Sequence, residues 1–278
     1  MTKRILKILA FILALGLIAW VCVIVNSLVG NPISKAIAKN TTKNHIAENY
    51  TDKNFEIERV TYSFKDGYYH SFVSSPGSID SHFTVVVDMW GNLRYDTYDD
   101  RVLGGWNTAS RISEDYRKSV DAVLDSPSFP YNEHIGYGDF EFYPREHIEN
   151  YPTPDYAIII EDLIPDAVYD VNSLGEKHGK LTIYVDNETV SVDKLSGMLL
   201  DIRRIFDAAG VKFYVIDFVL EYPKSEDGQR KEGRVEVMDF LYSDIYEEGM
   251  TERVKASNEA ARNYYTEQDS EKLEEKSE

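Results

Sequence analysis

The chain has 278 residues, a length that fits one or two globular units. Hydrophobic residues make up 43% and charged residues 28%, so the chain can bury a core and is neither wholly disordered nor collagen-like. The formal net charge at pH 7 is −18, which opposes binding to the phosphates of nucleic acid. We therefore expect folded units and no nucleic-acid partner.

The first predicted element is a membrane helix. Residues 8–25 (ILAFILALGLIAWVCVIV) form an uninterrupted apolar run about long enough to cross a bilayer. Because Lys3, Arg4 and Lys7 precede this run, the positive-inside rule predicts a cytoplasmic N-terminus and an exported remainder. A cleaved signal peptide is the alternative, but the run is long for one, and the Ala-x-Ala at 36–38 lies well beyond its end.

The sequence thus predicts a single-pass protein of the cell membrane. Residues 1–30 would be the cytoplasmic head and a retained signal anchor, and the C-terminal bulk would be extracellular. The chain has one cysteine, Cys22, and it lies inside the apolar run. The exported part therefore has no disulfides, which is typical of a bacterial cell-envelope protein whose stability comes from its core.

The first unit is predicted over residues 31–126 as helix, meander and helix. A weak amphipathic helix spans 33–50, and alternating apolar residues with turn signals at Asp66-Gly67 and Trp90-Gly91 then predict four antiparallel strands. A second helix follows from about Thr108 and ends before Pro127. Residues 127–156 contain repeated prolines and are interpreted as a proline-rich linker with one strand at 137–142.

The second α+β unit is predicted over residues 157–265. A strand at 181–185 leads to a helix capped by Ser191 and ended by Gly210, and a strand at 211–222 follows at once. This helix is a crossover, so the two strands are predicted to be parallel. A hairpin brings back a strand at 234–242, the last helix opens at Ser243 or Asp244, and residues 266–278 form an acidic tail. The fold class is α+β, with one N-terminal transmembrane helix and two small units with mainly antiparallel sheets.

Asp217 and Asp239 are the candidates for a binding or catalytic site. Each lies among apolar residues of a predicted strand and therefore needs a partner. Two carboxyl groups in apolar surroundings can act as acid and base, as in glycosidases. The alternative is structural: each meets Arg203, Arg204, a tyrosine hydroxyl or backbone N–H groups and only stabilises the fold.

The register of the last hairpin bears on this choice. With Asp227 and Gly228 at the centre of a type I′ turn, Glu221 faces Arg234 and Val219 faces Glu236. In that register Asp217 and Asp239 point to opposite faces, and Asp239 is held by a donor near the start of the last helix. The sequence therefore predicts no catalytic pair.

Several chemistries have no motif in this chain. Serine hydrolases, zinc proteases and P-loop NTPases carry signatures that are absent, and no two of the six histidines lie three or four residues apart. We expect no metal, no cofactor and no catalytic residue.

Several segments resemble a known family. GNPISK, YSFKDG, GGWNT, SPSFPY, YVIDFVLEYP and VEVMDFLYSDIYEEG resemble the YfjL-like proteins of Bacillus and related bacteria. The resemblance runs from Gly30 to about Tyr265 and includes the membrane helix. It implies a membrane-anchored, uncharacterised protein and assigns no site residue. The strands ending in DMWGNLRYD are similar to a PepSY or cystatin-like module, which implies an envelope regulator or inhibitor.

Two functions remain open at this point. The first is a membrane-tethered extracellular interaction or regulatory protein without catalytic activity, with an envelope protein or peptide as its partner. The second is a cell-surface hydrolase that acts on envelope glycan or peptide through Asp217 and Asp239. We favour the first.

Overall fold

The computed structural model describes residues 2–275 of the chain. The chain divides into two compact units. One runs to Thr108 and also includes Ile164–Asp166, and the other comprises Ala109–Leu163 and continues from Ala167. Both units combine helices with mainly antiparallel strands, which confirms the predicted α+β class.

Two helices open the first unit. Helix α1 spans Thr2–Val29, and nearly all of its described side chains are exposed. Helix α2 spans Pro32–Asn49 and starts in a new direction because Gly30 has a φ of 69° and Asn31 is extended. The Asn31 side chain caps α2 by accepting the Ser34 N–H at 2.7 Å.

A four-stranded antiparallel meander completes the first unit. Its strands are β1 (Glu56–Ser63), β2 (Tyr68–Ser74), β3 (His82–Val87) and β4 (Leu93–Asp96), in the order β1-β2-β3-β4. Helix α2 packs on one face of this sheet through residues spaced four apart: Ser34, Ala38, Thr42 and Ile46. The predicted helix and four strands are therefore present.

The core of the second unit lies between a sheet and two helices. Helix α3 (Trp106–Leu124) begins at the end of the first unit, and β5 (Glu133–Phe140) follows it. The remaining elements are β6 (Phe142–Tyr143), α4 (Arg145–Asn150), β7 (Ile158–Ile159), α5 (Val171–His178), β8 (Gly179–Asp186), α6 (Val192–Ala209), β9 (Val215–Glu221), β10 (Arg234–Leu241) and α7 (Met250–Glu275). The sheet order is β10-β9-β8-β5, and buried residues of α3 and α6 form one core with it.

The predicted crossover is confirmed. Strands β8 and β9 are parallel, and α6 connects them. The Ser191 hydroxyl accepts the Lys194 N–H at 3.2 Å at the start of α6, and Gly210 ends the helix with a φ of 71°. Ser191 therefore begins α6 and Gly210 ends it, as the sequence predicts.

Three boundaries differ from the sequence prediction. The segment interpreted as a linker, 127–156, contains β5, which pairs with β8 along its whole length. Helix α3, placed in the first unit by sequence, lies mostly in the second. The last helix begins at Met250 rather than at Ser243 or Asp244, which belong to a 3₁₀ turn, and it continues through Glu275. Residues 276–278 of the predicted tail lie outside the described residues.

The last hairpin has the predicted register for half of its length. Glu221 pairs with Arg234 and Val219 with Glu236. The turn is not type I′, because Gly228 has a positive φ and Asp227 does not. A bulge then shifts the pairing, so that Phe240 rather than Asp239 pairs with Ile216.

Candidate functional site

The two candidate aspartates lie on the same side of the second sheet. This contradicts the prediction that they point to opposite faces. The cause is the bulge in β10, where Asp239 adopts a φ of 46° and leaves the alternation of the strand. Asp239 also donates its backbone N–H to Asp217 Oδ1 at 2.7 Å.

Lys180 of β8 joins the two carboxylates. Its Nζ lies 2.8 Å from Asp239 Oδ1 and 3.0 Å from Asp217 Oδ2. The parallel register explains this position, because Thr182 pairs with Asp217 and Lys180 lies two residues earlier on the same face. The ammonium group therefore lies between the two acids.

Two further side chains complete the cluster. Tyr156 donates its hydroxyl to Asp239 Oδ1 at 2.6 Å, and Lys180 Nζ lies 3.5 Å from Glu141 Oε1. We call these residues the Lys180 cluster: Glu141, Tyr156, Lys180, Asp217 and Asp239. The partners of Asp239 are thus Lys180 and Tyr156, not a donor near the last helix as the sequence predicts.

The environment shifts the pKa values of this cluster. Burial lowers the pKa of Lys180, but the bonds and charges of Asp239 and Asp217 outweigh burial and raise it above its ordinary value. Burial and the bond to Asp239 raise the pKa of Tyr156. Burial also raises the pKa of Asp217, against the opposing effects of the Asp239 N–H and of Lys180.

The chemistry open to this cluster is limited by its lysine. A cavity of about 300 Å³ lies beside it and is lined in part by Tyr137, Tyr184 and Asp217. A retaining glycosidase needs free space between its two carboxylates for the substrate, and here the ammonium occupies that space. The raised pKa values of Lys180 and Tyr156 favour the protonated form of both groups near neutral pH, which disfavours either as a general base.

Three residues of the second unit could hold a metal ion. His134, Asp186 and Glu221 place one ligand atom each within 4.8 Å of the others. Arg230 already pairs with this group, with nitrogen–oxygen distances of 2.5 Å to Asp186 and 3.1 Å to Glu221. The guanidinium therefore supplies the charge that a cation would bring.

The first unit carries a larger open surface. The face of its sheet opposite α2 forms a cavity of about 550 Å³. The basic and aromatic residues of its lining include Arg59, His70, Phe72, His82, Tyr95 and Arg101. Arg59 lies over the Phe72 ring, 4.1 Å from its centroid. We call this surface the open sheet face.

Sequence reasoning missed Lys180, Tyr156 and the open sheet face. A signal for Lys180 exists in the strand GKLTIYVD, where Lys180, Thr182 and Tyr184 alternate with apolar residues and mark one polar face. The parallel register was needed to place Asp217 on that face. For Tyr156, in a loop far along the chain from Asp239, the sequence offers no comparable signal.

Comparison with known proteins identifies the family. Residues 5–97 match the YfjL-like, N-terminal domain, and residues 115–255 match the YfjL-like C-terminal domain. No curated protein and no solved structure matches the chain. The similarity to a PepSY or cystatin-like module stays a prediction. Since the two matches together cover most of the sequence, the chain belongs to the YfjL-like family.

Proposed function

We propose that this protein is a membrane-tethered, non-catalytic interaction protein of the cell envelope. Helix α1 is its anchor, and the open sheet face binds an acidic segment of an envelope protein. The observation that carries the tether is α1 itself, which is long and apolar enough to cross a bilayer and has none of its apolar span buried. Such a helix in water would expose a large apolar surface.

Charge supports the choice of an acidic partner. The chain carries a net charge of −18, yet the lining of the open sheet face has two arginines, Arg59 and Arg101, against one acid, Glu58. A face with positive formal charge attracts an acidic segment, whereas the net charge of the whole chain repels further copies of it. Exposed Tyr95 and half-buried Phe72 add the aromatic area typical of contact surfaces.

The first experiment tests the anchor and the orientation. Within about 15 residues of the apolar run, the N-terminal flank carries three basic residues, Lys3, Arg4 and Lys7, and the C-terminal flank carries two, Lys35 and Lys39. Loop charge therefore favours a cytoplasmic N-terminus by one residue. We expect protease added to intact cells to digest both units and leave a stub that resists carbonate extraction. Digestion only after lysis would place the units in the cytoplasm.

The second experiment tests the open sheet face. A photo-crosslinking amino acid at Tyr95 of the full chain should give an adduct in intact cells. The same residue at Leu103, which is 67% exposed and does not line the cavity, is the matched control. We expect Arg59→Glu with Arg101→Glu to abolish the Tyr95 adduct. An adduct that persists after charge reversal, or that forms equally at Leu103, contradicts an acidic partner at this face.

The hydrolase remains the second candidate because Asp217 and Asp239 share one side of the sheet. It predicts turnover of envelope glycan or peptide by the purified chain and loss of that turnover in Asp217→Asn. The interaction protein predicts no turnover in either variant, since Lys180 fills the space between the carboxylates. Turnover that disappears in folded Asp217→Asn would replace our proposal.

A further inference from the structure

One end of the first sheet lies at the exit of α1. The Tyr62 hydroxyl donates to the Ser27 carbonyl at 3.0 Å, and the Asn31 N–H donates to the Tyr69 hydroxyl at 2.8 Å. Only Gly30 and Asn31 separate α1 from α2, so α2 starts within about 10 Å of the end of α1. The end of β1 and the start of β2 are therefore fixed beside the apolar helix.

The topology brings a second turn to the same end. In an antiparallel meander, the β1–β2 and β3–β4 turns lie at one end and the β2–β3 turn at the other. The β3–β4 turn also packs on α2, because the Thr41 hydroxyl donates to the Gly91 carbonyl at 3.0 Å. The β1–β2 turn and the start of α2 thus lie at the α1 exit, and the β3–β4 turn lies at the same end of the sheet, beside Thr41 about 14 Å along α2. We call them the membrane-proximal end: residues 32–43, 64–67 and 89–92.

Apolar side chains at the membrane-proximal end are unusually exposed. Trp90 is 77% exposed, Ile33 73% and Phe64 63%. Ile37 and Met89 are exposed beside them. Ile33 and Ile37 lie about one and two helical turns beyond α1, and large apolar and aromatic side chains near the end of a transmembrane segment are typical of the bilayer interface.

Charge at this end also fits a lipid surface. Lys35, Lys39 and Lys43 follow one another at intervals of one turn along α2, and all three are exposed. Among the side chains that the structure describes, no carboxylate lies within ion-pair distance of these lysines. Basic residues at this level of a bilayer contact lipid phosphates and are attracted more strongly by anionic lipid.

We propose that the membrane-proximal end binds the phospholipid surface, with Ile33, Phe64 and Trp90 in the interface and the lysines of α2 on lipid phosphates. This rests on the proposed function, since α1 must be in the bilayer. A second copy of the chain is a less suitable occupant, because the patch adjoins the α1 exit, where lipid is always present. The lipid surface would hold the first unit in one orientation.

The test uses the full chain in lipid nanodiscs. Trp20→Phe with Trp106→Phe leaves Trp90 as the sole tryptophan. Lipids with brominated acyl chains quench tryptophan at the interface, so Trp90 fluorescence should fall relative to that in lipids without bromine. The matched control adds Trp90→Phe and Ile79→Trp, which moves the reporter to the β2–β3 turn at the opposite end, at a residue that is 62% exposed. We expect no quenching there.

The outcomes distinguish lipid binding by the membrane-proximal end from membrane anchoring by α1. Flotation of the chain with lipid tests α1, and failure to float contradicts the proposed function before any quenching is measured. A chain that floats while Trp90 is unquenched by bromolipid and open to aqueous acrylamide overturns the docking proposal. Protection from acrylamide without bromolipid quenching assigns the patch to a second copy and also overturns it. Equal quenching of Trp90 in neutral and anionic bilayers overturns the role of the lysines.

Discussion

At the scale of single residues, Lys180 forms ion pairs with the two aspartates on the polar face of the second sheet. It compensates Asp217, whose side chain is 9% exposed. Lys180→Met leaves that carboxylate buried without a counter-ion, so we expect the free energy of unfolding at pH 7 to fall by about 3 kcal/mol. Chemical denaturation monitored by circular dichroism measures this. Lys118→Met, which removes an exposed lysine paired with Glu114, is the control and should leave the midpoint unchanged.

If the free energy of unfolding falls no more in Lys180→Met than in the control, another residue compensates the charge of Asp217.

The pH dependence of stability gives a second check on the role of Lys180. Without Lys180, burial raises the pKa of Asp217 further, and a carboxyl with a raised folded pKa stabilises the fold less as the pH rises above about 4. The loss in free energy of unfolding caused by Lys180→Met should therefore be smaller at pH 4 than at pH 7.

The pKa of Asp96 in the first unit is lowered, whereas the pKa of Asp217 is raised. Burial acts to raise its pKa, but the Tyr98 N–H and the side chains of His45 and Tyr50 outweigh burial and hold the pKa below its usual value. A carboxyl with a lowered folded pKa contributes stability above its unfolded pKa, about 4, and loses it as the pH falls through the folded value. The wild-type chain should therefore lose more stability on acidification than Asp96→Asn.

Thermal melts at pH 7, 4 and 2.5 measure this difference. Asp99→Asn is the matched control, since Asp99 is an exposed aspartate three residues away. Its acid dependence should follow the wild type. Parallel acid profiles for the wild type and Asp96→Asn would show that Asp96 contributes nothing to acid stability.

At the scale of elements, glycine in β5 lets α3 approach the second sheet. A Cβ built on Gly138 would lie 2.5 Å from Val120 Cγ2 and 2.8 Å from Tyr116 Cε1. We expect Gly138→Ala to lower the free energy of unfolding by about 1–3 kcal/mol, because α3 or Tyr116 must shift. Gly197→Ala in α6 is the matched control, since nothing lies within 4 Å of its Cβ, and it should stabilise by about 0.5–1 kcal/mol.

We expect equilibrium denaturation to show a lower free energy of unfolding for Gly138→Ala and a higher one for Gly197→Ala. Equal effects would contradict close packing of α3 on β5. The buried Tyr116 hydroxyl donates to the Lys212 carbonyl at 2.8 Å, and Gly138 of β5 leaves room for its ring. Gly138 thus has a packing role that its sequence context does not reveal.

Local signals in the sequence predicted well the elements that depend on neighbouring residues. Ser191 and Gly210 delimit α6 as predicted, because caps act within a few residues. The sequence predicts one strand, 137–142, within a proline-rich linker, and the structure has β5 over Glu133–Phe140, where no proline lies between Pro130 and Pro144. The bulge at Asp239 could not be predicted, since its positive φ depends on long-range contacts with Asp217 and Lys180.

At the scale of the whole molecule, α1 is separable from the fold. Within residues 2–275, few side-chain bonds join α1 to the rest: Tyr62 donates to the Ser27 carbonyl, and Asn31 donates to Asn26 Oδ1 at 2.9 Å. Deletion of residues 2–25 keeps both acceptors. We expect the shortened chain to move from the membrane fraction to the soluble fraction with its melting temperature nearly unchanged.

Ultracentrifugation and differential scanning fluorimetry measure the two quantities. The substitution Leu17→Ala in the full chain is the control, because it leaves α1 apolar and should keep the protein in the membrane fraction. A shortened chain that aggregates would show that α1 protects an apolar surface of the units.

The bonds at Gly30 and Asn31 have a mechanical consequence. Tyr62 and Tyr69 attach the end of α1 and the start of α2 to adjacent strands of one sheet. A helix attached at its end in this way cannot spin about its long axis without turning the sheet. With α1 in the bilayer, as proposed, the rotation of α1 about its long axis would set the direction in which the open sheet face points around the bilayer normal. Rotation of α1 would reach the open sheet face through Tyr62 and Tyr69.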